Sequence, residues 1–141
     1  LIGSQLLLEV LPRWKKGEIA PRTQDNASAS YFATVTKETG EIDWSQPAGV
    51  IWRKVRAYYP WPGCFSRWQG KNIKIIEALP QPAIKDVCSG QVTVLSDGSA
   101  GVGTGNGVLK ISTLQLEGKK PMSSAEFIRG QRQFAGSMLP S

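Results

Sequence analysis

No histidine occurs anywhere in the chain. That removes the commonest general base and the commonest metal ligand at one stroke. Cysteine is almost absent as well, with only Cys64 and Cys88. Two thiols twenty-four residues apart, with no histidine beside them, do not make a zinc site and are too few for a disulfide scaffold. Both read as reduced, intracellular core residues. No apolar run approaches the ~20 residues of a membrane-spanning helix, so no membrane segment is expected. The glycine-rich run Gly98 to Gly107 fits neither GxGxxG nor the P-loop spacing, and it lies between strand candidates instead of opening a helix. Its glycines read as hairpin turns, not as a phosphate cradle.

Acidic residues are in short supply: eleven Asp and Glu stand against seventeen Lys and Arg, a net charge of +6. The excess favours an acidic partner, and on charge alone nucleic acid, an anionic membrane or an acidic protein would serve. It is uneven along the chain. Residues 1–40 carry five basic against four acidic side chains, and residues 41–141 carry twelve against seven. With 40% apolar residues and five tryptophans in 141, the chain has the means to bury a core. About 68% of the unfolded surface is removed from water at this length.

The organising stretch is Ile42 to Gly63, IDWSQPAGVIWRKVRAYYPWPG. Ser45 can cap a helix and Pro47 is tolerated in a first turn. Val50, Ile51, Val55 and Tyr58 recur at helical spacing, with Arg53, Lys54 and Arg56 between them. Pro60 stops the helix, and Pro-Trp-Pro-Gly makes a rigid exit turn. The reading is a helix that plugs one end of a barrel, with Trp44, Trp52, Tyr58 and Trp61 aimed at the core. Asp43 and Glu41 near its start read as capping and dipole partners.

On the N-terminal side, Gly3 to Lys16 reads as an amphipathic helix with Leu6, Val10 and Trp14 on one stripe and Gly17 as C-cap. Glu18 to Ser30 has no periodicity and reads as a linker. Tyr31 to Thr36 alternates as a short strand. Beyond the plug helix, Cys64–Trp68 and Asn72–Ala78 pair across Gln69-Gly70-Lys71, with Ile73 and Ile75 on one side and Lys74 on the other. Pro80 to Ser89 is an extended loop. Gln91–Leu95 and Ala100–Thr104 are strands around the Ser96-Asp97-Gly98 turn. Asn106-Gly107 is a strong hairpin signal, and Val108–Leu116 reads as the longest strand. Ser123 with Glu126 forms a capping box for a last helix over Ala125–Phe134. Short strands spaced by turns predict a mainly β fold with helices, a small closed or nearly closed barrel.

Three separated stretches resemble the C-terminal domain of the methionyl-tRNA formyltransferase family. These are Ile42-Asp43-Trp44-Ser45, Arg56-Ala57-Tyr58-Tyr59-Pro60-Trp61-Pro62-Gly63, and Leu114-Gln115-Leu116-Glu117-Gly118-Lys119-Lys120-Pro121-Met122-Ser123. Gln24-Asp25 and Thr36-Lys37-Glu38 resemble the family's interdomain linker. The resemblance covers nearly all of the chain, with Pro80 to Ser89 matching least. It implies an open β-barrel related to the oligonucleotide-binding fold, with a plug helix and a C-terminal helix. Together with a first residue that is Leu and not Met, it also implies an excised piece. Residues 1–17 would then be the last helix of a truncated catalytic domain, 18–36 the linker, and 37–141 a tRNA-binding barrel.

In that family, chemistry belongs to an Asn-His-Asp constellation in an N-terminal Rossmann-like domain, and none of it is in this chain. No catalytic residue, metal or cofactor is therefore expected here; 10-formyltetrahydrofolate is the donor of the whole enzyme. The partners the resemblance implies are initiator tRNA, met through its phosphates, and the missing catalytic domain, in a cytoplasmic enzyme that is a monomer when complete. The cationic residues that would line the tRNA face are Lys37, Arg53, Lys54, Arg56, Lys71, Lys74, Lys119, Lys120, Arg129 and Arg132, giving affinity without base readout. Two other classes stay open. One is the structural barrel of formyltetrahydrofolate dehydrogenase or of a sugar formyltransferase, which needs no nucleic acid. The other is a free-standing single-strand binder with aromatic stacking platforms.

Overall fold

The computed structural model describes residues 2–140. The chain separates into two units, Leu1–Ala33 and Thr34–Ser141.

The first unit holds one long helix, α1 (Ile2–Lys15), closed by Gly17 at φ +75°. Leu6, Leu7, Leu8, Leu11 and Trp14 are all exposed on it. The chain after it is irregular apart from one 3-10 turn at Asn26–Ser28, capped by Asp25.

The second unit contains α2 (Ala48–Ala57), β1 (Cys64–Trp68), β2 (Lys71–Gln81), β3 (Val92–Val94), β4 (Ala100–Gly103), β5 (Val108–Leu116), β6 (Met122–Ser123) and α3 (Ser124–Gly130). The sheet is antiparallel in the order β1-β2-β5-β4-β3, with β6 added to β5. It is open; among the described residues β1 and β3 do not meet to close a barrel. Irregular segments take up their outer edges instead. The Ile42 N–H donates to the Phe65 carbonyl at 2.8 Å, and the Val92 N–H donates to the Ser137 carbonyl at 2.8 Å. Edges blunted in this way have few free backbone groups to recruit another strand.

The sheet curves because two strands slip register. On β2 the inward residues run Ile73, Ile75 and then Ala78; on β5 they run Leu109, Ile111 and then Leu114, Leu116. Each changes parity at the irregularity around Glu77, where Ile75 faces Leu114 and Ala78 faces Ile111. A bulge there adds twist and bends the strands around the core. α2 packs against β2 and β5 on the concave side, burying Ala48, Ile51 and Val55. Trp68, Phe127 and Phe134 fill the other end edge-to-face, with ring centroids 5.0–5.5 Å apart.

Several expectations need correction. Ser45 does not cap α2, because its N–H and hydroxyl are both bonded to the Asp43 carboxylate. Pro47 takes the N-cap position, and the Ala48 N–H donates to the Asn106 carbonyl instead. Glu41 pairs with Arg67 at 3.5 Å and is not a helix partner. Tyr31–Thr36 forms no strand, and Tyr31 and Phe32 are exposed. The longest strand is β2, which continues through Pro80 to Gln81. Cys64 is buried but Cys88 is exposed. Trp61 is not in the core: it is 65% exposed, whereas Trp44 is buried with its indole N–H donating to the Ser66 hydroxyl at 3.1 Å.

The capping box is present as read. The Ser123 hydroxyl accepts from the backbone of Glu126, and the Glu126 side chain returns a bond to the Ser123 N–H. α3 ends sooner than expected, at Gly130, with Arg132–Phe134 as a 3-10 turn. Its start is fixed further by Ser124, whose hydroxyl bridges the Ile111 carbonyl and the Ala100 N–H. Replacing Ser123 by Ala should lower stability by about 1 kcal/mol, the usual worth of a helix N-cap. A denaturant melt measures it, and no change would mean that Ser124 alone fixes this end.

Candidate nucleic-acid interface

The alternation of β1 puts Cys64, Ser66 and Trp68 inside and leaves Phe65 and Arg67 on the outer face. Lys74 pairs with Phe65 on one side and with Gln115 on the other, so the three form one row across β1, β2 and β5. Above this row lies a groove of about 440 Å³ whose lining includes Lys37, Trp61, Phe65, Asn72, Lys74 and Gln115. A second groove, of about 300 Å³, shares Lys74 and Gln115 and is flanked by Tyr59, Thr113 and Pro121. Lys74 thus stands between two grooves, each with an exposed aromatic side chain: Trp61 at 65% and Tyr59 at 67%.

Local structure explains how Lys37 and Trp61 come together. Lys37 begins a 3-10 turn over Glu38–Gly40. Gly40 then passes so close to the turn after α2 that a Cβ there would lie 2.1 Å from the Gly63 carbonyl oxygen. Only glycine permits this approach. Gly63 itself sits at φ +75° and returns its N–H to the Tyr58 carbonyl at 2.9 Å, which closes the turn carrying Tyr59 to Pro62. Pro62 is buried beneath, so Trp61 is held with its ring toward solvent.

The lining of the first groove carries two lysines, Lys37 and Lys74, and one carboxylate. Neither Lys37 nor Lys74 enters an ion pair among the described residues. Glu117 also lines the first groove, and one of its oxygens accepts the Asn72 N–H at 3.0 Å. The Gln115 side-chain amide donates to the Lys119 carbonyl at 2.8 Å, which fixes the Glu117–Lys120 loop beside the groove. Gly118, at φ +75°, makes the turn of that loop. Beneath the second groove, burial pushes the Cys64 thiol up to about 11, against an opposing pull from Lys54, so the thiol stays protonated at neutral pH.

Of the sequence-predicted cations, Lys37 and Lys74 line one groove, and Lys119 and Lys120 are exposed on the adjoining loop. The others are not brought there. Arg53, Lys54 and Arg56 stay on α2; the Arg56 guanidinium lies 4.8 Å above the Trp52 ring, and Lys54 is half-buried. Lys71 is at the tip of the β1–β2 hairpin, Arg129 in the last turn of α3, and Arg132 in the 3-10 turn after it. Sequence reasoning missed Tyr59, Trp61, Phe65, Asn72 and Gln115 as members of this face. The strict alternation of β1 was the available signal for Phe65. For Trp61 it was the pair of flanking prolines, which hold a turn on the surface.

Residues 34–132 match the family model described as formyl transferase, C-terminal domain. A methionyl-tRNA formyltransferase of Dehalococcoides mccartyi is 47% identical over 138 residues, covering 98% of this chain and 44% of that protein. One from a Roseiflexus species is 42% identical over 139 residues, again 98% of this chain and 42% of that protein. The chain therefore spans less than half the length of these curated relatives. Among solved structures, a variant of HypX from Aquifex aeolicus superposes with a TM-score of 0.59 at 26% identity, over 89% of this chain and 23% of HypX. HypX in complex with tetrahydrofolic acid gives 0.57 at 25% identity, over 88% of this chain and 22% of HypX. The chain belongs to the formyl transferase C-terminal domain family, and the Dehalococcoides and Roseiflexus relatives that it matches along nearly its whole length are methionyl-tRNA formyltransferases.

Proposed function

We propose that this chain is the tRNA-holding part of a methionyl-tRNA formyltransferase. In the whole enzyme a formyl group passes from 10-formyltetrahydrofolate to the amino group of methionine on initiator tRNA. The observation that most supports this reading is the alignment of 98% of the chain with proteins of that name. In the proposed division, residues 1–17 end the catalytic domain, 18–36 link, and 37–141 form an oligonucleotide-binding-like domain whose bent sheet is its incomplete barrel. Lys37, Lys74, Lys119 and Lys120 meet backbone phosphates from one face. Arg53, Lys54, Arg56, Lys71, Arg129 and Arg132 supply longer-range attraction from other faces. Lysine suits this work because a point charge needs no exact geometry.

By the family resemblance, 10-formyltetrahydrofolate is held by the catalytic part of the enzyme outside this chain. The chain by itself then binds and orients, and formyl transfer belongs to the part of the enzyme outside it.

Titrating the chain with initiator tRNA at several salt concentrations tests the reading. Binding should weaken steeply with salt, as counterion release requires. The double change Lys119→Ala, Lys120→Ala should flatten the log–log salt dependence by up to about 2 units, at roughly 0.9 per lost phosphate contact. Both side chains are exposed, so the melt should move by less than about 0.5 kcal/mol. No measurable tRNA binding by the folded chain would favour a spacer domain. That second reading draws on the recurrence of the fold in HypX.

A further inference from the structure

We infer that the groove between Trp61 and Phe65 is a site for one unpaired nucleotide of an RNA chain, its base against the Trp61 indole and its phosphate between Lys37 and Lys74. The inference rests on the proposed nucleic-acid reading and adds to it a contact with a base. Four observations carry it. The Trp61 ring is 65% exposed although the chain has a core able to take large rings, and the buried Pro62 and the Gly63 turn fix it in place. A rigid aromatic face loses little freedom when a base stacks on it. Phe65, half-buried in β1, gives the groove an apolar floor. Lys37 and Lys74 reach the same groove from separate elements, free of ion pairs among the described residues, and outnumber its one carboxylate, Glu117, which is engaged by the Asn72 N–H. Asn72 and Gln115 add amide groups to the lining.

This combination selects against other anionic ligands. Double-stranded RNA presents phosphates and a shallow minor groove while its bases stack on one another, so the indole face would stay unused. An acidic peptide would pair with the lysines and likewise leave the indole bare. An unpaired nucleotide uses the aromatic face and both charges. The groove volume of about 440 Å³ lies within the ~300–1,000 Å³ usual for small-ligand clefts. The neighbouring groove, with Tyr59 at its side, shares Lys74 and Gln115 and offers the next nucleotide a path.

The test measures binding of the full 141-residue chain to a labelled unstructured oligouridylate and to a blunt RNA duplex of equal phosphate count, by fluorescence anisotropy. Trp61→Ala should weaken binding to the single strand by roughly 5- to 150-fold, the range carried by one stacked base. Trp61→Phe should recover most of that loss, and duplex binding should not change. Melts should be unaltered, because the ring is mostly exposed. Equal single-strand affinity in Trp61→Ala overturns the inference, as does an equal loss on the duplex. Failure of the folded wild-type chain to bind the single strand, or competition by polyglutamate as effective as by oligouridylate, also overturns it. A chain that binds tRNA with a steep salt slope and no dependence on Trp61 retains the tRNA reading and loses this one. Trp61-dependent single-strand binding without tRNA binding does the reverse.

Discussion

Phe134→Ala should destabilise the second unit by roughly 3–5 kcal/mol, the range for emptying a large aromatic site in a packed core. Phe134 is 0% exposed and meets the edges or faces of Trp68 and Phe127 at 5.2 and 5.0 Å. Its removal deletes two edge-to-face contacts and leaves a cavity that rigid rings cannot collapse to fill. The backbone consequence adds to this. The Phe134 carbonyl accepts the Ser137 hydroxyl, and the Ser137 carbonyl accepts the Val92 N–H. The ring therefore also seats the tail that covers the outer edge of β3. A urea melt with Arg132→Ala as surface control gives the comparison. A loss below about 1 kcal/mol for Phe134→Ala would mean that this end of the core repacks freely.

Much of the fold was legible because its signals are local. The Gln69-Gly70 and Asn106-Gly107 turns, the alternation of β1 and the capping box each depend on a few neighbouring residues, and each appears close to where it was expected. The bulges were also written in the pattern, as the parity change from Ile111 to Leu114 and from Ile75 to Ala78, but a period-2 template read across them without noticing. The N-terminus of α2 misled for a chemical reason. Asp43 two residues upstream competes for the Ser45 hydroxyl and N–H, so the hydroxyl is not free to cap.

The candidate site was less legible. Lys37 and Lys74 are far apart in sequence and line one groove in a fold where residues 41–42 run along the edge of β1 and Gly40 passes close to Gly63. No local spacing encodes that meeting. The plug-helix reading places Trp61 in the core because a ring between two prolines at a helix exit can fill a barrel end. The turn seats Pro62 inside and leaves Trp61 exposed, although burying a large apolar side chain is worth roughly 1.5–3 kcal/mol.

Gly105→Ala should be the other strongly destabilising change, by roughly 2–5 kcal/mol, through overpacking and the loss of backbone hydrogen bonds. In the sequence this glycine looks like one more hairpin residue. In the fold a Cβ at position 105 would stand 1.8 Å from the Ser45 carbonyl oxygen and 2.8 Å from its carbon. The obstruction is backbone, so no side-chain rotation relieves it. The Gly105 N–H also donates to the carbonyls of Trp44 and Gln46 at 3.0 and 3.1 Å, and the next residue, Asn106, accepts the first N–H of α2 from Ala48. Pushing the segment at 44–47 away would loosen the buried Trp44 indole from Ser66 and remove the backbone acceptor at the start of α2. Gly49→Ala is the matched control. It lies inside the same helix with nothing within 4 Å of its Cβ position, so alanine should stabilise by up to about 1 kcal/mol through helix propensity. Paired urea melts, read by far-ultraviolet circular dichroism and by tryptophan emission, separate the two. If Gly105→Ala melts within about 0.5 kcal/mol of the wild-type chain, the 44–47 segment yields without loss, and Gly105 is then only a turn residue.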